Sequence, residues 1–233
     1  MTKGTRAART YGQYCPVAVG LDLLGDRWVL LILRELATGD QRFSDLRRGL
    51  PGIAPNLLSD RLQQLSADGM VESVELPPPA ARSVYRLTAD GRAAIPVLRA
   101  VARFGVRHLD GEPPETLSAR RTGFALLAPW STPTDADLRA RLVLTEDSRR
   151  LDDGVDVVLG GGTFRFEDTE PSSPVPVDVT LEIEVEDLVA VRRDQGSRGV
   201  PALRVAVTGP AARADEVLAA FALTRARGRA RPS

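Results

Sequence analysis

Close to residue 60 lie four side chains whose types pair with nucleic-acid bases or phosphates: Asn56, Ser59, Arg61 and Gln63. The amides of Asn and Gln match the donor and acceptor on the major-groove edge of adenine, and an Arg fork matches guanine or a phosphate from the flank. On a helix, Asn56, Ser59 and Gln63 fall on one side, with Asp60 among them, while Leu58, Leu62 and Leu65 recur at spacings of four and three on the other. A reading helix needs that division: an apolar stripe to hold it and short polar groups to approach base edges. Pro55 sits near its first turn, where a missing N–H costs nothing. Arg42 and Ser44 open the segment before it, where a helix start favours a phosphate. Arg82 follows a proline-rich tip and stands where a hairpin would touch the adjoining backbone or minor groove.

The elements that must position these groups are legible by period. "VAVGLDLLG" and "RWVLLILRELATG" read as two apolar helices closed by glycines, the second burying Trp28, Leu31, Ile32 and Leu36 as the centre of a small domain. "RFSDLRRGL" reads as a short helix with Leu46 and Leu50 inward and Ser44 at its N-cap or first turn, and Pro51–Gly52 as the turn. "APNLLSDRLQQLSADG" is the next helix. "MVESVEL" and "RSVYRLT" alternate around "PPPAA" as a β-hairpin. A longer helix runs from about Ala89 to His108, capped by Thr88 and kinked by Pro96.

The totals narrow the chemistry. In 233 residues, 43% are hydrophobic and 27% charged, ordinary for a globular protein. No apolar run reaches the roughly 20 residues of a membrane span, which predicts no membrane partner. The basic N-terminus has no apolar core behind it and does not read as a secretory signal. One cysteine, Cys15, excludes an intrachain disulfide and points to a reducing cytoplasm. One His and one Cys do not make a zinc site, and no cofactor is expected. Three neighbouring glycines, Gly160–Gly162, lack the Lys-Ser/Thr and the helix of a phosphate loop. Asp152–Asp153 and Glu184–Glu186 read as a solvated face, and His108 as the end of a helix. With no nucleophile–base pair, an enzyme is not expected. The formal charge is zero but unevenly spread: residues 1–112 carry 15 Lys/Arg against 12 Asp/Glu, residues 113–224 carry 12 against 19, and four Arg close the chain.

From Tyr14 to Gly105 the chain resembles the HxlR-type winged helix-turn-helix regulators of bacteria. The marks are "CPV", "GDRW", "LLILREL", "RFSDLRRGLPGI", "LLSDRLQQL", "DGMV" and "YRLTADGR", in that order. The resemblance implies a dimeric transcription factor on double-stranded DNA with dyad symmetry. It implies a recognition helix over Ala54–Leu65, a wing over Val71–Leu87, and a homodimer interface from the N-terminal segment and the helix Ala89–His108. The recognition helix departs from the pattern in carrying Pro55, Asn56 and Asp60 where such proteins often carry more positive charge. Cys15 matches a position that some members use to sense oxidants, so a thiol-based regulator is one alternative; the other role for it is a small packed residue.

The segment "DGEPPE" marks an expected boundary, giving 1–112, 113–224 and a basic disordered tail 225–233. Beyond it, "ARLVLTE", "VDVVLGG", "TFRFEDTE", "DVTLEIE" and "ALRVAVTG" read as strands, and "EDLVAVRRD" and "PAARADEVLAAFAL" as helices, so the whole is α+β. The loops "TEPSSPVP" and "DQGSRGVP" read as mobile. Residues from about Leu138 to Leu223 resemble the sterol carrier protein type 2-like fold, which implies an apolar cavity. Phe124, Leu127, Trp130, Phe164, Phe166, Val189 and Phe221 are its candidate lining for a small hydrophobic effector; each singly reads better as core, and the domain equally fits a dimer-stabilising role. A carrier of hydrophobic metabolites that dimerises through its first half is the second alternative to a ligand-modulated regulator.

Overall fold

The computed structural model describes residues 10–76, 82–109, 118–152, 154–168, 175–194 and 201–226. By packing, the chain forms two compact units, Met1–Ile95 and Pro96–Ser233. Packing divides the chain at Ile95–Pro96 and not at the expected boundary, residues 110–115, which lie wholly outside the described residues, as do residues 169–174 and 195–200 of the two loops read as mobile.

The first unit contains helices α1 (Pro16–Leu24), α2 (Val29–Ala37), α3 (Phe43–Gly49) and α4 (Pro55–Ala67), strands β1 (Val71–Leu76) and β2 (Arg82–Leu87), and helix α5 (Ala89–Ala93). Its core is aliphatic: Ile32, Leu33 and Leu36 of α2, Leu46 and Leu50 around α3, and Leu58, Leu62 and Leu65 of α4 are all buried. The helix α2 is less uniformly covered than its sequence suggests. Trp28 and Leu31 are only half-buried, and Arg27 lies 5.8 Å over the Trp28 ring. Glu35 is buried on the same helix because Arg34 folds back on it, at 3.0 Å from Nε and 2.6 Å from Nη2. Gly52 has φ +88, a left-handed conformation that suits glycine in the turn between α3 and α4.

β1 and β2 pair antiparallel, with Val71 opposite Leu87. Gln41 extends the hairpin: its N–H donates to Tyr85 O (3.0 Å), and its carbonyl accepts from Tyr85 N–H (2.8 Å). Thr88 ties the hairpin to α5. Its Oγ1 donates to Gly69 O (2.6 Å) and accepts from Gly91 N–H (3.1 Å), while its own N–H donates to Met70 O (3.1 Å). The fit is close enough that a Cβ on Gly91 would stand 2.0 Å from Met70 O.

The long helix expected from Ala89 to His108 is broken. α5 ends at Ala93, α6 runs Ile95–Gly105, and a 3-10 turn covers Val106–His108. Pro96, second in α6, has no N–H to continue the ladder and crowds the preceding turn.

The second unit holds α6 from Pro96 onward, α7 (Ala119–Leu127) with a 3-10 turn at Ala128–Trp130, then β3 (Leu138–Glu146), β4 (Arg149–Arg150), β5 (Val155–Gly160), β6 (Thr163–Asp168), β7 (Val179–Glu184), α8 (Val185–Arg193), β8 (Ala202–Leu203), β9 (Ala206–Thr208), α9 (Ala211–Ala220) and β10 (Thr224–Arg225). Five strands are ordered β6-β5-β3-β7-β9, with β4 on β3; β3 and β7 are parallel. β7 buries alternate residues, β3 and β5 are buried continuously over Leu142–Thr145 and Val155–Val157, and α7, α8 and α9 pack on this sheet. The other face carries an ion-paired row in which the buried Asp156 takes both Arg139 and Arg141, and Arg139 also reaches Glu167. "ALRVAVTG" is not one strand: β9 joins the large sheet, while β8 pairs in parallel with β10. The tail expected to be disordered from 225 thus begins inside a strand at Thr224–Arg225, and residues 227–233 lie outside the described ones.

Arg192 of α8 is the bulkiest fully buried side chain. Its Nε donates to Leu126 O (2.7 Å) and its Nη2 to Phe221 O (2.8 Å), and its plane lies 4.6 Å from the Trp130 ring. Burial pushes its pKa down to about 9, so it is still a cation at neutral pH. It satisfies carbonyls at the ends of two helices at once. Arg192→Ala leaves both without a donor and is expected to destabilise the second unit by about 3–5 kcal/mol. Denaturant unfolding followed by Trp fluorescence, with Trp130 as the local reporter, measures it.

Candidate nucleic-acid interface

α3, the turn and α4 form the helix-turn-helix, with β1 and β2 as the wing behind it. α4 has no side-chain N-cap, and its N-cap is Ala54. What holds it is its inner stripe, since Leu58, Leu62 and Leu65 are all but inaccessible. That stripe fixes which residues face out. Pro55, Asn56, Ser59, Asp60 and Gln63 are exposed, as the spacing predicts, and so is Gln64, whose amide donates to Asp68 (3.0 Å). Among the described residues the side chains of Asn56, Ser59 and Gln63 make no hydrogen bond, so their polar groups are available to a ligand.

Arg61 is placed differently from the expectation of a base or phosphate contact. Its Nη2 lies 2.6 Å from Asp26 Oδ2, in the loop between α1 and α2, and its side chain is largely covered. Asp26 also accepts from the N–H of Trp28 (3.1 Å). Burial raises the Asp26 pKa, but the hydrogen bonds from Arg61 and Trp28 and the charge of Arg61 outweigh it, and the net shift is downward. Arg61 is a tether that fixes α4 to the "GDRW" loop. The sequence carried no local sign of this, because the partners are 35 residues apart.

On α3, Arg42 is the exposed N-cap residue and Ser44 is in the first turn rather than at the cap. Asp45 reaches back to accept the N–H of Arg42 (3.3 Å). Arg47 and Arg48, not singled out by the spacing, are exposed on the last turn of α3 and add positive charge beside the turn. On the wing, Arg86 is bound to Asp40. Arg82 opens β2, but its side chain lies outside the described residues, as does the tip 77–81. Cys15 is the N-cap of α1 and is half-buried.

The seven residues proposed to line a pocket do come together in part. Phe164 packs edge-on against Phe166 (5.6 Å between centroids) and Phe221 (5.2 Å), and Phe124 against Phe166 (6.1 Å). The rings occupy one another's space. Leu127, Phe124, Phe166 and Phe221 are buried, while Trp130 belongs to Arg192 and Val189 is half-buried on α8. An open surface depression lies elsewhere, along Thr134–Asp137 and Arg213, Glu216 and Ala219, and none of the seven lines it.

The Asp26–Arg61 pair has a pH signature. Because the carboxyl titrates below its ordinary 3.8 when folded, its contribution is complete above that value and is lost as pH falls through the lowered one. Asp26→Asn is therefore expected to destabilise the protein at neutral pH, by about 1 kcal/mol or less for a partly exposed pair, and to converge with wild type in acid, once the pH has fallen through the lowered carboxyl pKa. Urea midpoints at neutral pH and in acid check this.

Comparison with known proteins identifies the family of this part of the chain. An HxlR-like helix-turn-helix family model matches residues 23–113. An uncharacterised HTH-type transcriptional regulator of Bacillus subtilis (strain 168), YvaP, is 34% identical over 99 residues, covering 42% of this chain and 92% of the relative. A second, sll1512 of Synechocystis, is 39% identical over 101 residues, covering 43% of this chain and 75% of the relative. Among solved structures, the reduced form of the transcriptional regulator YodB from B. subtilis is 29% identical and covers 43% of this chain and 100% of its own, with a TM-score of 0.37. Through residues 23–113 the chain belongs to the HxlR-like helix-turn-helix family of transcriptional regulators.

Proposed function

We propose that the protein binds a dyad-symmetric DNA operator as a homodimer, with α4 of each copy in the major groove. The observation that carries this reading is the row Asn56, Ser59 and Gln63, exposed and unengaged over a fully buried leucine stripe. Asn56 and Gln63 supply the base contacts. Arg42, Ser44 and the exposed Arg47 and Arg48 supply phosphate contacts beside them, and Arg82 does so from the wing. With Asp60 in the outer row and Arg61 committed to Asp26, α4 brings little charge of its own, so affinity rests on these flanks and on the second copy.

Two apolar surfaces support the homodimer. In the first unit α1 exposes Val17, Val19, Leu21 and Leu23, and Tyr14 precedes it bare. In the second, α6 exposes Val97, Val101 and Phe104 at helical spacing. Apolar stripes of this kind are what an obligate partner covers. We read the second unit as the sterol-carrier-like module that its sequence resembles. Its helix-covered mixed sheet and phenylalanine cluster support that reading, and a small hydrophobic effector would enter by parting the rings.

The test is selection of binding sites from random duplex DNA with full-length protein. Asn56→Ala and Gln63→Ala are each expected to cost about 1–3 kcal/mol on the selected site and little on unrelated DNA. Wild-type affinity in both overturns the assignment of α4. Val101→Asp is expected to give monomers by sedimentation and to weaken the selected site by at least about tenfold, the loss of one half-site contact set. Binding of apolar ligands without any selected DNA sequence supports the carrier reading instead.

A further inference from the structure

The family match runs through α6 to residue 113, yet packing assigns α6 from Pro96 onward to the second unit. The helix has two faces. At about 100° per residue, Val97, Val101 and Phe104 form one stripe, and Arg99, Ala102, Arg103 and Val106 lie opposite. The first stripe is exposed. The second is engaged. Arg103 donates from Nε to Pro129 O (2.7 Å), and from Nη2 to the same oxygen. Arg99, one turn earlier, lays its guanidinium 5.8 Å from the Phe164 ring, and its Nε is buried without an acceptor among the described residues. Val106 is buried, in the 3-10 turn that packs on α8.

These contacts close a circuit. Pro129 neighbours Trp130, which stacks on Arg192; Arg192 holds Phe221 O; Phe221 packs on Phe164; and Phe164 meets Arg99. Two arginines of α6 thus grip the aromatic core at two points, one through a carbonyl and one through a ring.

We propose that Arg103 and Arg99 are positioning residues for operator binding: they fix α6 to the core of the second unit, so that this unit sets the attitude of the stripe Val97–Val101–Phe104 offered to the second copy. The inference rests on the homodimer reading given above. A change in the phenylalanine core reaches the partner through a packed helix that has one face in each interaction, which is the physical link that coupling between two sites requires.

The experiment uses full-length protein: wild type, Arg103→Ala, Arg103→Lys and Phe164→Ala. Hydrogen exchange is read on the amides of α6 and α4, together with the dimer dissociation constant and affinity for the selected operator. Arg103→Ala is expected to speed exchange over Leu98–Gly105 by about tenfold, the loss of a charge-assisted hydrogen bond. It is expected to weaken dimer and operator binding several-fold while α4 exchanges as before. Arg103→Lys, which keeps a donor for Pro129 O, restores much of both. Phe164→Ala acts in the same direction from the ring side, and because Arg103 is itself exposed, its variants test the idea even where Phe164→Ala fails to fold. If wild type selects no operator, the homodimer reading falls and this inference with it. If wild type binds, and Arg103→Ala leaves either α6 exchange or operator affinity unchanged, only the inference is overturned.

Discussion

Burial of Leu58, Leu62 and Leu65 is the constraint from which the DNA-reading surface follows. α4 is 13 residues long, starts without a side-chain cap and is close to the length at which a helix in water is marginal. Each buried leucine contributes roughly 2 kcal/mol, far more than any contact on the helix's polar face. The stripe therefore decides not only that α4 persists but how it is rotated. With the leucines inward, Asn56, Ser59 and Gln63 have nowhere to go but outward. The Asp26–Arg61 bridge adds a second restraint from the flank, weak in energy and useful in direction.

Around α4, local backbone chemistry sets the neighbours. Thr88 joins Gly69, Met70 and Gly91 in one small hydrogen-bonded junction, so the wing and α5 leave the helix-turn-helix at a defined angle. Gln41 gives the hairpin a third segment and keeps it from standing alone, which two strands in water do poorly. Pro96 then ends what would have been one long helix, and the chain passes from one packing unit to the other at that break.

The second unit rests on a different device. Its sheet is apolar on the helix-covered face and ion-paired on the other, and its helix ends converge on Arg192. A buried guanidinium is costly unless its donors are met. Here carbonyls of Leu126 and Phe221 and the face of Trp130 meet them, and the same contacts bring the phenylalanine cluster against α6.

Periodicity and punctuation by themselves determined most of the elements: the leucine stripe, the Pro51–Gly52 turn, the Thr88 cap and four of the five segments read as strands beyond residue 113 follow from spacing that any 233-residue chain must obey locally. The polar row on α4 was legible for the same reason, since a helix turns by a fixed angle and its inner face names its outer one. Tertiary structure decided what depends on residues far apart. Arg61 reads as a base or phosphate contact because Asp26 is 35 residues away, and nothing in "EDLVAVRRD" marks Arg192 as buried because the carbonyls that hold it belong to α7 and to the end of α9. The same holds for α6: its sequence runs on from α5, but its side chains find their partners in residues 129 and 164, and packing energy, not chain order, assigns a helix to a unit.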